Sequence, residues 1–134
     1  MQDTKIKNQA RFRQKVKFDN VSGYQGTDLD YVCDVKGKAM VYAEIKCEGT
    51  RITTGQKILA ENLVKNSRIP SFFFSLTHNT DPSEDIILGD TKVEGLWHSE
   101  GDGSFGYSEK SKGKTFKEVK ATLETLLKKR YGLK

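Results

Sequence analysis

Residues 39 to 76 run strand, helix, strand, and that order leaves few folds open. Ala39-Met-Val-Tyr-Ala-Glu-Ile-Lys-Cys47 is rich in β-branched and aromatic residues, the composition of a strand. Glu48-Gly-Thr-Arg-Ile52 reads as a loop. Thr53, with Gln56 three residues on, has the pattern of a capping box. Ile58, Leu59, Leu63 and Val64 then give a helix an apolar side as far as about Asn66. Pro70 stops the helix, and Ser71-Phe-Phe-Phe-Ser-Leu76 is a nearly continuous apolar run, as expected of a strand buried on both faces. A strand–helix–strand unit predicts two parallel strands with a right-handed crossover.

A second strand precedes this unit. Leu29-Asp-Tyr-Val-Cys-Asp-Val35 has strand composition, and Lys36-Gly37-Lys38 supplies a turn into residue 39. With those three residues as the loop, Val35 faces Ala39. The same register puts Asp30 opposite Glu44 and Asp28 opposite Lys46, and directly opposed residues share a sheet face. A two-residue Lys36-Gly37 turn would separate Asp30 and Glu44 onto opposite faces. The charged groups are then either a solvated hairpin face laced by ion pairs or a constellation able to hold a divalent cation. Their position favours the second. They lie at the carboxyl end of the strand that enters the crossover, where open α/β sheets place their sites.

In order and spacing, Gly26-Thr-Asp28-Leu-Asp30-Tyr-Val, Glu44-Ile45-Lys46 and Gly55-Gln56 resemble the PD-(D/E)xK nuclease superfamily, which includes restriction endonucleases and archaeal-type Holliday-junction resolvases. The resemblance covers roughly residues 26 to 77. It implies an α/β, restriction-endonuclease-like fold: a mixed β-sheet with a β-hairpin plus βαβ core flanked by helices. The length of 134 residues leads one to expect a single domain, 1–134. The resemblance further implies a Mg²⁺- or Mn²⁺-dependent DNA endonuclease, with Asp30, Glu44, Lys46 and Gln56 as catalytic residues. Asp30, Glu44 and the Ile45 carbonyl would be the metal ligands, a hard oxygen set suited to those ions. The proline that names the motif is absent, with Thr27 or Leu29 in its place. Either aspartate therefore fits as ligand, Asp30 first and Asp28 second. The N-terminal acidic ligand offered by many relatives has only Asp3 and Asp19 to supply it. A nuclease fold that binds DNA or assembles with a protein without cutting, and an unrelated α+β domain with a coincidental motif, are the competing readings.

Charge distribution fits a polyanionic partner. The net charge is +5, with six Lys/Arg against two acids in residues 1–20 and nine against three in residues 108–134; the middle has eight against thirteen. An acidic centre suits a metal, and basic flanks suit phosphates; two solvated ends are the plain alternative. Arg11, Arg13 and Lys15 alternate with apolar residues in Arg11-Phe-Arg-Gln-Lys-Val-Lys-Phe18, which predicts a strand with a basic face, after a short helix through Ile6 and Ala10. Lys110, Lys112 and Lys114 stand in the Gly/Ser-rich stretch 99–114, read as a flexible loop. With Phe105 and Tyr107 they are placed to follow a nucleic-acid strand. A domain this small covers little DNA alone, so a homodimer is expected.

The remaining segments are structural. Residues 84–98 predict a further hairpin or edge strands, with Trp97 in the core. Thr115 and Glu118 cap a last helix whose stripe is Phe116, Val119, Leu123, Leu126, Leu127 and Tyr131, packed on the sheet or on a second subunit. Lys128, Lys129 and Arg130 suit its C-terminal dipole. No apolar run is long enough for a membrane span or signal peptide. Cys33 and Cys47 are too few for a disulfide framework and are expected as small buried side chains in a reducing, cytoplasmic setting; the likeness to small phage nucleases extends this to phage or mobile-element origin. His78 and His98 have no metal-ligand spacing, though His78 follows the buried strand toward the site.

Overall fold

A computed structural model describes residues 5–6, 20–25 and 29–132. Among these residues the architecture is mixed α/β: a five-stranded sheet with a helix on each face. Two short pairs stand apart from it, β1 (Lys5–Ile6) with β7 (Ile86–Ile87), and the hairpin of β2 (Asn20–Val21) and β3 (Tyr24–Gln25).

The sheet order is β4-β5-β6-β8-β9. β4 (Tyr31–Val35) and β5 (Ala39–Cys47) form the expected hairpin, with Val35 opposite Ala39 and Tyr31 opposite Ala43. Its turn is set by Lys36 and Gly37, both left-handed at φ 54° and 69°, as a tight hairpin requires. β5 then enters α1 (Thr54–Lys65), and β6 (Ser71–His78) returns parallel to β5, pairing Glu44 with Ser75 and Lys46 with Thr77. Every β6 residue from Ser71 to Thr77 is buried, because α2 (Phe116–Tyr131) covers one face and α1 the other.

The two faces divide by residue parity. Ala39, Val41 and Ala43 of β5 join Phe72, Phe74 and Leu76 of β6 under Phe116, Val119, Leu123 and Leu127 of α2. Fully burying a side chain of this size contributes about 1.5–3 kcal/mol, so the α2 stripe belongs to the sheet. The other face holds Phe73 and Trp97 against Ala60 and Val64 of α1. Glu44 and Lys46 fall on this second face, past the end of its apolar cluster.

Several elements differ from expectation. Lys5–Ile6 pair as a strand where a helix through Ile6 was expected. Residues 84–98 form no hairpin: β7 leads through a 3₁₀ turn (Leu88–Asp90) into β8 (Lys92–Ser99), an interior strand between β6 and β9. The 99–114 stretch contains β9 (Gly106–Ser108). Tyr107 packs on Trp97, and the Val93 backbone bonds Lys114 and Gly113, so this stretch is fixed to the sheet edge. On α1, Ala60 takes the buried position and Ile58 is exposed, because Ala60 and Val64, four apart, define the face that meets Phe73. Cys33 is half-buried on the edge strand β4, and Cys47 is exposed where β5 runs beyond α2; both are free thiols. The strand expected over residues 11–18, with Arg11, Arg13 and Lys15, falls outside the described residues, as does Asp28.

Candidate metal and phosphate site

The β4–β5 ladder ends at the Tyr31–Ala43 pair, one step short of Asp30 and Glu44. The β4 ladder ends here because the Asp30 side chain replaces it: the Ile45 N–H donates to Asp30 Oδ2 at 2.7 Å. The N–H and C=O of one strand residue point to the same edge, so the Ile45 carbonyl faces the edge where Asp30 stands. Both belong to the ligand set expected from the sequence.

Glu44 is 5% exposed. A buried carboxylate is costly unless it is paired and hydrogen-bonded, and two partners meet that cost. Lys46 Nζ lies 3.6 Å from Glu44 Oε1, and Gln56 Nε2 donates to the same oxygen at 2.8 Å. Gln56 also serves its capping box: its Oε1 accepts from Thr53 N–H at 2.9 Å, while Thr53 Oγ1 accepts from Gln56 N–H. Reversing the amide would set NH₂ against N–H and oxygen against carboxylate, so the network fixes its orientation. One side chain thus ties the N-terminus of α1 to the carboxylate of β5.

His78 and Cys47 pair at the end of the β5–β6 ladder, with the parity of the α2 face rather than that of Glu44 and Lys46. Their side chains approach at 3.5 Å from His78 Nε2 to Cys47 Sγ, and His78 Nδ1 accepts from Thr80 N–H at 3.2 Å. That bond leaves the proton of the neutral ring on Nε2. Burial lowers the His78 pKa from its ordinary value, and the charge of Asp30 opposes the shift.

A groove of about 890 Å³ lies on the same sheet face as Glu44 and Lys46, between α1 and β9; Asp30, Glu44, Lys46 and Gln56 are not among its lining residues. Ser75 and Thr77 form part of its floor; Arg51, Lys57 and Glu94 contribute charge. Sequence patterning missed all five. Glu94 is aimed there by a β-bulge: Ser75 pairs with Gly95 and Leu76 with Val93, leaving Glu94 as the extra residue of β8. Lys112 reaches the same groove and pairs with Glu94 at 3.7 Å, whereas Lys110 and Lys114 are exposed and do not line it.

The donor chemistry fits a hard cation. Among the described residues no three His, Cys, Asp or Glu side chains come together; the candidate donors are the Asp30 and Glu44 carboxylates and the Ile45 carbonyl. Mg²⁺ is commonly held by one or two carboxylates plus waters and substrate phosphates. No helix among the described residues is long and apolar enough to cross a membrane. Family models, curated proteins and solved structures give no match to this chain.

Proposed function

We propose that the chain is a Mg²⁺- or Mn²⁺-dependent DNA endonuclease of the PD-(D/E)xK type. The observation that carries the reading is the convergence of Asp30, Glu44, Lys46 and Gln56 at the carboxyl end of β5, with Glu44 buried and held by Gln56 at 2.8 Å. A charge this buried needs a reason beyond solubility.

In this reading Asp30, Glu44 and the Ile45 carbonyl hold the cation, which when bound polarises a phosphoryl oxygen and lowers the pKa of water. Lys46 orients the attacking water and stabilises charge building on the phosphate. Gln56 holds Glu44 in place and keeps its oxygens in one orientation. Ser75 and Thr77 offer hydroxyls to the substrate backbone beside it. Hydrolysis then leaves a 5′-phosphate and a 3′-hydroxyl, as the resemblance implies.

A non-catalytic DNA-binding or assembly module is the second reading, favoured by the ion pair between Lys46 and Glu44, which satisfies both charges within the protein. Incubating the purified chain with branched, single-stranded and duplex DNAs in Mg²⁺ or Mn²⁺ separates the two. Metal-dependent cleavage of any member supports the nuclease. Binding without cleavage under every condition supports the module.

A further inference from the structure

The sheet face beneath α1 changes abruptly in side-chain size. Phe73 and Trp97 oppose each other and fill one row; the next row is Glu44, Ser75 and Gly95. That step from aromatic to small residues opens the groove. Tyr107 of β9 lies over the gap. A Cβ on Gly95 would stand 2.7 Å from its ring carbons, closer than any real contact, so only glycine lets the ring lie there. Trp97, its cross-strand partner, backs it with ring centroids 4.6 Å apart. Tyr107 nevertheless remains 49% exposed and lines the groove.

The position of this ring matters. Gly95 is two strands from Glu44, so the ring lies about 10 Å from the proposed site. The groove walls mix Glu61 and Glu109 with Arg51 and Lys57, so net phosphate attraction inside it is weak. What the groove offers instead is a half-exposed aromatic ring, seated on Gly95 and tilted 51° to the Trp97 ring that backs it. A base in a duplex has both faces stacked and gains nothing from such a surface; an unpaired base does.

We infer that Tyr107, seated on Gly95 and backed by Trp97, is a stacking platform for an unpaired nucleobase. The substrate class of the proposed nuclease is therefore DNA with single-stranded character beside the scissile phosphate. The relation to the cut rests on the nuclease reading; the stacking does not.

Trp97 is the chain's single tryptophan, and its contact with Tyr107 makes its fluorescence a direct reporter. The full chain is titrated, without divalent metal, with a single-stranded oligonucleotide and with the duplex of the same sequence. Single-stranded DNA perturbs Trp97 emission and binds more tightly than duplex. Tyr107→Ala weakens single-strand binding by about fivefold or more, and Tyr107→Phe, which keeps the ring, retains it. Gly95→Ala, which displaces the ring and removes no groove side chain, reproduces the loss. Thermal midpoints of all variants show whether each is folded. Single-strand affinity within about twofold of wild type in folded Tyr107→Ala or Gly95→Ala, or equal sensitivity of duplex binding to both, overturns the platform. Because these measurements involve no cleavage, they hold or fail apart from the nuclease reading. Failure to cut any DNA, with Tyr107-dependent binding intact, removes the nuclease and leaves the platform.

Discussion

Gln56 donates to Glu44 at 2.8 Å while its carbonyl oxygen is held by the Thr53 N–H at 2.9 Å. A residue that caps a helix therefore also fixes a buried carboxylate on the neighbouring strand, and the two roles separate by mutation. Gln56→Ala loses both, leaving Glu44 short of a donor, and destabilises the fold by about 1–3 kcal/mol. Gln56→Glu keeps the capping box but places like charge against Glu44, so activity falls even where the helix cap survives. Chemical denaturation alongside cleavage rates checks both; equal effects on stability and activity for the two variants would contradict this division.

Asp30 accepts from Ile45 N–H, so its replacement tests two things at once. Asp30→Asn keeps an acceptor for that N–H and preserves stability, whereas Asp30→Ala leaves the donor to water and costs about 1 kcal/mol. Both remove the charge, so both abolish metal-dependent activity. Asp28→Ala is expected to cost less activity than either. Isothermal titration with Mn²⁺ on each variant checks the order, and a larger loss for Asp28→Ala would move the ligand to residue 28.

The groove charges predict an unequal response among the three lysines. Lys110 and Lys114 are exposed, and replacing either with Gln lowers the slope of log affinity against log salt by about 1 if it contacts phosphate. Lys112 pairs with Glu94 at 3.7 Å. Lys112→Gln therefore unmasks Glu94 and weakens DNA binding more than the other two, and adding Glu94→Gln restores part of the loss. DNA affinity that does not change between low and moderate salt would contradict the electrostatic account.

Tyr31, next to Asp30, reports whether this end of β4 is packed. Its ring meets Phe116 edge-on at 6.2 Å, and burial, with the Cys33 thiol beside it, raises its pKa to about 12. The folded value lies above the unfolded one near 10, so the neutral phenol's contribution to stability is complete below pH 10. It is lost as pH rises from 10 through 12. Phenolate absorbance should show a late-titrating group that is absent in Tyr31→Phe. If Tyr31→Phe instead loses amplitude near pH 10 and keeps the whole late component, the strand end is open to water.

The hairpin, α1 and β6 were legible because each carries its own punctuation. Lys36-Gly37-Lys38 fixes the turn, Thr53 and Gln56 mark the cap, and Pro70 precedes an unbroken apolar run. The observed register follows the expected one as far as Tyr31 and Ala43, and Asp30 then meets the Ile45 N–H. The second role of Gln56 was not legible, because spacing reveals a cap but not which side chain across the loop lies within reach. Glu94 was hidden because a bulge adds one residue without altering local composition. β9 was hidden because Gly106 and Ser108 flank a single aromatic, too short an alternation to read. Its order comes from Trp97 and Gly95 on another strand, so the groove is a product of tertiary pairing.

The central claim is that Glu44 is a metal ligand and Lys46 acts on the phosphate beside it. Single-turnover cleavage of a susceptible DNA, measured across a Mn²⁺ titration for wild type, Glu44→Gln and Lys46→Ala, tests it most directly, with each variant's thermal midpoint recorded. Glu44→Gln should lose both activity and metal affinity. Lys46→Ala should bind metal much as wild type does and lose about 100-fold or more in rate at saturating metal. Wild-type cleavage by Glu44→Gln, from a preparation free of contaminating nuclease, would contradict the account.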